Sequence, residues 1–268
     1  MSDALSVDRG DGIQVWRMGL APVNAINDDL LDSFDEALAD ATKDASIAAV
    51  VLSSDLRVFS AGADAKWMAK TASRLTPAGL LEEFNVTMDR FRDVCLRIRR
   101  APFLVVAAVQ GHALAGGLEL AAACDLRFCA VDDSVQLGVP EMDLFGVLPS
   151  GGGGAQYLAR LMGPSRALDF ILSGKPITPQ RAFDLGLVDR LLERADVLDV
   201  AVSFATEVAS KASRIGVSAA KSSIFGGEEL PLASALALDR AVHWDAMRRG
   251  NFLSGVEGFI ARFGSDSA

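Results

Sequence analysis

Apolar positions along the chain alternate between a helical and an extended period. Ile26, Leu30, Leu31, Phe34 and Leu38 recur at helical spacing. Asn27 stands where an N-cap belongs, and Asp28 and Asp29 fall in the first turn, where the helix dipole favours acids. A second helical stripe opens at Pro77 and runs through Phe84, Met88, Phe91, Cys95 and Ile98. Arg97, Arg99 and Arg100 close it and read as a solvated, dipole-compatible helix end. Short apolar runs at 13–18, 47–52 and 103–109 predict buried strands, with 13–18 as the first strand. Two further short strands, at 126–130 and 134–137, are expected to meet in a hairpin through Asp132-Asp133. Residues 118–124 predict a short buried helix, and another passes through Tyr157, Leu158 and Leu161. Thr178-Pro179 is a cap-plus-proline start for a helix ending near Gly186. After about residue 195 only helical patterns remain. Strands alternating with helices predict an α/β core over 1–195, followed by a helical region over 196–268.

Composition narrows the function classes. The 268 residues carry 26 Lys+Arg against 35 Asp+Glu, a net charge of −9, and half of them are hydrophobic. That balance predicts a folded chain and disfavours non-specific binding to nucleic acid or anionic membranes, which needs a basic surface. The longest apolar stretch, 101–109, is far below the roughly 20 residues that span a bilayer. The polar, acidic start reads as neither secretory signal nor transit peptide, and three cysteines without Cys-x-x-Cys spacing predict a reduced, cytoplasmic protein. His112 and His243 lie far apart, so no metal site is expected.

Candidate chemistry gathers around three glycine-rich loops after strand-like segments, at 60–64, 111–117 and 149–154. Each is either a tight turn or a set of exposed N–H groups suited to an anion or oxyanion. Nucleotide motifs fail: Gly117 and Leu118 stand where a P-loop needs Lys and Ser/Thr, and Gly-x-Ser-x-Gly is absent around Ser150. Two carboxylates are unusually placed. Glu119 lies within an apolar, small-residue helix, where ionisation is costly without partners, and Glu141 follows Pro140 ahead of an apolar loop. Either they serve acid–base chemistry, or Glu119 caps a neighbouring backbone and Glu141 is simply solvated.

Three segments resemble a known family. Residues 59–66, Phe-Ser-Ala-Gly-Ala-Asp-Ala-Lys, resemble the first signature loop of the enoyl-CoA hydratase/isomerase (crotonase) family. Residues 109–120 with Cys124-Asp125 resemble the second, and Pro140-Glu141 with 149–156 the third, all in one order. The resemblance implies a crotonase-like β-β-α spiral whose C-terminal helices associate protomers into a homotrimer or dimer of trimers. It implies an acyl-CoA thioester as substrate, coenzyme A entering as part of it, with no separate cofactor. By position, the N–H groups of Ala63 and Gly116 would form an oxyanion hole. Ala25, Ala61, Ala63, Asp64, Ala65, Lys66 and Gly116 would line the coenzyme A thioester. Glu119 and Glu141 would be general base and acid of an enoyl-CoA hydratase. The alternatives on the same scaffold are a Δ3-Δ2 isomerase and a non-catalytic acyl-CoA-binding subunit. A basic residue common near the first loop is replaced here by Leu20-Ala21-Pro22, leaving Lys66 as the candidate cation.

Overall fold

The computed structural model describes residues 4–73, 76–250 and 252–263. Its centre is a six-stranded sheet in the order β1-β2-β3-β4-β6-β8. The strands are β1 (Leu5–Gly10), β2 (Ile13–Met18), β3 (Ala49–Ser54), β4 (Leu104–Val109), β6 (Leu126–Ala130) and β8 (Arg190–Leu192). All neighbours from β2 onward are parallel. Parallel neighbours need long crossovers, and here α1 (Asp28–Lys43) joins β2 to β3. Helices α2 (Ala65–Ala72) and α3 (Pro77–Arg100) join β3 to β4. Val50, Val51, Leu52, Val105, Val106 and Ala107 are fully buried, as expected of a parallel sheet covered on both faces. The Asn27 cap is formed: its side chain accepts from the Leu30 N–H at 3.1 Å.

Each crossover also contributes a short extended piece to a second row. Ile26 bridges Ala63 and Ser60 bridges Ala113, both in parallel. The strand β5 (Ala113–Leu114) pairs in parallel with β7 (Leu137–Gly138), and Leu137 bridges Ile177. One long strand, one short extended piece and one helix per turn make a β-β-α spiral. The second row sets the first and second glycine-rich loops side by side.

Four expectations change. The first strand is β1, an antiparallel edge strand whose exposed, charged outer half hid it among the polar N-terminal residues. No hairpin forms at Asp132-Asp133. Asp132 instead accepts from the Ser134 N–H and hydroxyl, closing a local turn that sends β6 into the main sheet and β7 into the second row. The buried helix α4 starts two residues early, at Gly116 (Gly116–Ala123). The basic end of α3 is not uniformly solvated: Arg97 pairs with Asp35, whereas Arg99 is buried against the rings of Phe225 and Tyr157.

The remaining helices are α5 (Glu141–Phe145), α6 (Gly154–Met162), α7 (Pro164–Ser173), α8 (Pro179–Asp184), α9 (Val197–Lys211), α10 (Arg214–Gly227), α11 (Leu232–Arg249) and α12 (Phe252–Phe263). Helix α9 packs on β2, β3, β4 and β6 through buried Val197, Ala201 and Ala205. Helix α10 sends Lys221 into the interior, where Nζ meets Asp125 at 2.7 Å and the Phe103 carbonyl at 2.8 Å. Helix α11 buries no residue and exposes Leu232, Leu236 and Trp244, while α12 exposes Leu253, Phe259 and Ile260.

Candidate active site

The first loop is aimed by buried polar groups. Asn24, at φ 48°, is fully buried and donates from Nδ2 to Ser54 Oγ at 2.8 Å and to the Phe59 carbonyl at 2.9 Å. Ser60 Oγ donates to the Asn24 carbonyl at 2.8 Å and accepts from the Gly62 N–H at 3.2 Å. Gly62 is at φ +88°, and a Cβ there would lie 2.6 Å from Ala115 Cβ and 2.9 Å from the Gly116 nitrogen, so only glycine fits. Ala115 itself is left-handed, at φ 51°, and turns the chain into α4. The Ala61–Ala63 and Ala115–Gly116 segments therefore abut. Among the backbone bonds of the described residues, neither the Ala63 nor the Gly116 N–H has an acceptor. Gly116 also opens α4, whose dipole adds positive potential at that end.

Around this pair, Asp64 Oδ1 accepts from the N–H groups of Lys66 and Trp67, each at 2.9 Å, and so caps α2, which begins at Ala65. Lys66 is exposed at the start of that helix, and Ala25 is half-buried in the segment leading to Ile26. Neither lines the cavity that Ala63 and Asp64 line.

Glu119 is 2% exposed on α4. Its Oε2 accepts from the Gly152 N–H at 2.8 Å and its Oε1 from the Gly154 N–H at 2.7 Å. Burial pushes its pKa up, and these two N–H donors hold it back. The third glycine loop is thus the clamp for Glu119, and the backbone-capping reading of that residue is realised in geometry. Clamping leaves lone pairs on both oxygens for a further donor. Glycine is required for this contact: a Cβ on Gly154 would sit 2.5 Å from Glu119 Oε1.

Glu141 opens α5 and is half-buried, with Oε2 buried and lacking any hydrogen-bond partner among the described residues. Burial pushes its pKa up to about 7, with the Glu119 charge adding to the rise. Two carboxyls on separate elements therefore feel each other, although 22 positions separate them in sequence (141 − 119). A carboxyl near 7 and a clamped neighbour can share the work of donating and accepting protons at neutral pH.

A cavity of about 250 Å³ opens beside Ala63, lined by Ile26, Trp67, Phe84 and Met88 among others. Trp67 stacks on Phe84, with ring centroids 6.3 Å apart. Met88 reaches the glycine loop: a Cβ on Gly151 would meet its sulfur at 2.6 Å and Glu119 Oε2 at 3.3 Å. Trp67, Phe84 and Met88 line this cavity, while Leu144 and Phe145 are more than 60% exposed on α5. Among the described residues no group of His, Cys, Asp and Glu is placed to hold a metal ion, and no helix is long and apolar enough to cross a membrane.

Residues 9–264 match the sequence profile of the enoyl-CoA hydratase/isomerase family. The chain belongs to that family. A probable enoyl-CoA hydratase of Bacillus subtilis is 30% identical over 97% of this chain and 96% of its own length. The fatty acid oxidation complex subunit alpha of Shewanella frigidimarina is 37% identical over 74% of this chain, which covers 27% of that larger protein. Among solved structures, an enoyl-CoA hydratase from Geobacillus kaustophilus superposes with a TM-score of 0.87 at 33% identity, covering 97% of this chain and 94% of the other. One from Bacillus anthracis gives 0.88 at 28% identity, covering 97% of each chain. The spiral fold expected from the three signatures is thereby established. As a member of the enoyl-CoA hydratase/isomerase family, the protein is an enzyme of acyl-CoA chemistry.

Proposed function

We propose that the protein is an enoyl-CoA hydratase, adding water reversibly across the 2,3 double bond of a 2-enoyl-CoA thioester. The thioester oxygen accepts from the Ala63 and Gly116 N–H groups. These donors hold a developing enolate more strongly than a neutral carbonyl, which is the differential binding that lowers a barrier. Glu119 takes a proton from water as the water oxygen bonds to C3, and the electron pair of the double bond moves toward the thioester. Glu141 gives its proton to C2. One proton leaves water and one reaches carbon, so the pair of carboxyls keeps its total charge, and relay of the proton from Glu119 back to Glu141 restores the starting protonation. The acyl chain occupies the cavity walled by Trp67, Phe84 and Met88, and the exposed Lys66 meets the coenzyme A phosphates together with the backbone of Ala25, Ala61, Asp64 and Ala65. The apolar faces exposed on α11 and α12 are the surfaces through which protomers would join as a trimer or a dimer of trimers.

One observation supports this reading above the others: Glu141, lifted to about 7 with an unpartnered oxygen, lies within electrostatic reach of a clamped Glu119. A subunit that only binds acyl-CoA has no use for such a costly pair. Replacing Glu119 or Glu141 with Gln should each lower hydration of crotonyl-CoA, followed by loss of enoyl-thioester absorbance, by orders of magnitude while thioester binding persists. Full turnover in the Glu119 variant would refute the two-acid mechanism. Full turnover in the Glu141 variant would point instead to a one-acid isomerase.

A further inference from the structure

A second cavity, of about 560 Å³, opens beside Gly152 and Gly153 and shares no lining residue with the acyl cavity. Arg92, Arg99, Arg100, Arg160 and Lys221 line it, a concentration of cations in a chain of net charge −9. Its two carboxylates, Glu228 and Glu229, are exposed beyond the end of α10. Three of the cations are already engaged: Lys221 with Asp125, Arg92 with Asp89 and the Ser150 carbonyl, and Arg160 with Gln156. Among the described residues no hydrogen-bond acceptor meets Arg99 or Arg100. Arg99 is only 9% exposed, and its guanidinium carbon lies 4.1 Å from the centroid of the Phe225 ring and 5.4 Å from that of Tyr157.

Stacking on a ring satisfies the face of a guanidinium but leaves its N–H edge, which forks naturally onto phosphate or carboxylate. The Arg99 side chain is mostly buried yet lines the cavity, and burial pulls its pKa down. The cavity is also far larger than the roughly 30 Å³ that one water occupies in the liquid, so a bare anion would leave most of it empty. Leu96, Phe225 and Leu238 supply apolar wall for a carbon body.

We propose that this cavity binds a small organic phosphate, its head on Arg99 and Arg100 and its body against Leu96, Phe225 and Leu238, and that occupancy acts on Glu119 through Gly152. The link is direct: Gly152 forms part of the cavity wall and its N–H holds Glu119 Oε2. Only the effect on turnover rests on the hydratase reading; the binding itself does not.

Phenyl phosphate serves as the probe, titrated calorimetrically into the intact protein at constant ionic strength with inorganic phosphate as reference. Phenyl phosphate should bind more tightly than inorganic phosphate, and Arg99→Gln should weaken it by about tenfold or more, the scale of a charged hydrogen bond. Arg100→Gln, on the surface, should weaken it too and covers the case in which the Arg99 variant does not fold. Saturating phenyl phosphate should change kcat for crotonyl-CoA in the wild type and not in Arg100→Gln. Absence of binding, equal binding by Arg100→Gln, or an effect that persists in that variant would overturn the site. Binding with unchanged kcat in an active enzyme would overturn the coupling to Glu119. If crotonyl-CoA is not turned over at all, the hydratase reading fails while the calorimetric result still decides the site.

Discussion

Gly154→Ala tests the clamp on Glu119 with a single methyl group. Gly154 is the first residue of α6 and lacks a positive φ, so alanine carries no backbone penalty there and is the better helix former. The added Cβ would lie 2.5 Å from Glu119 Oε1, 2.7 Å from Cγ and 3.0 Å from Cδ, closer than atoms pack. Relief requires the carboxylate to retreat by about 1 Å, which stretches the 2.7 Å bond from the Gly154 N–H beyond hydrogen-bonding range. A hydrogen bond to a charged group contributes about 1.5–3 kcal/mol. If that loss falls on the reacting geometry, kcat for crotonyl-CoA drops by roughly 10- to 150-fold. The same bond lowers the pKa of Glu119, so losing it raises that pKa. As the proposed base Glu119 must be ionised, and the acidic limb of the rate profile should therefore move to higher pH. The assay is kcat and KM against pH, with circular dichroism melting to show the fold intact. A folded variant with wild-type kcat and an unmoved acidic limb would refute the role of the clamp.

Four further outcomes follow from the same geometry. As the proposed acid Glu141 must hold a proton to deliver it, so kcat/KM should fall as pH rises through about 7. Glu119→Gln removes a like charge and should move that limb downward in whatever activity survives. Asp125→Asn leaves Lys221 buried without its counter-charge and should destabilise the protein by about 3–5 kcal/mol, read as a lowered midpoint in urea. Phe84→Ala removes one partner of the Trp67 stack and enlarges the acyl cavity, so the ratio of kcat/KM for an eight-carbon over a four-carbon enoyl-CoA should rise.

Much of this architecture is written locally. The Asn27 and Thr178 caps form where short polar side chains precede apolar periodicity, and β2, β3 and β4 form where β-branched runs can be buried on both faces. Such elements depend on near neighbours in sequence, so periodicity and capping chemistry identify them. The carboxylates were legible for a related reason: a Glu in a run of small apolar residues is conspicuous before any coordinates exist. Edge strand β1 and the false hairpin at Asp132-Asp133 mark the limit. Pairing partners are chosen across the sheet, and an exposed edge strand carries little apolar signal.

What only the tertiary structure decided is who meets whom. The sequence alone placed Gly62, Gly116 and Gly154 in glycine-rich segments, but not that a missing side chain at each lets another segment approach within contact distance. It marked Arg99 as one of three arginines at a helix end, yet its burial on Phe225 depends on α10 packing there, more than a hundred residues later. It placed Glu119 and Glu141 on different elements, and folding brought them within reach of one another's charge. Local patterns arise from forces acting over a few residues. A site arises from closures over long stretches of chain, and those are selected by the packing of the whole spiral.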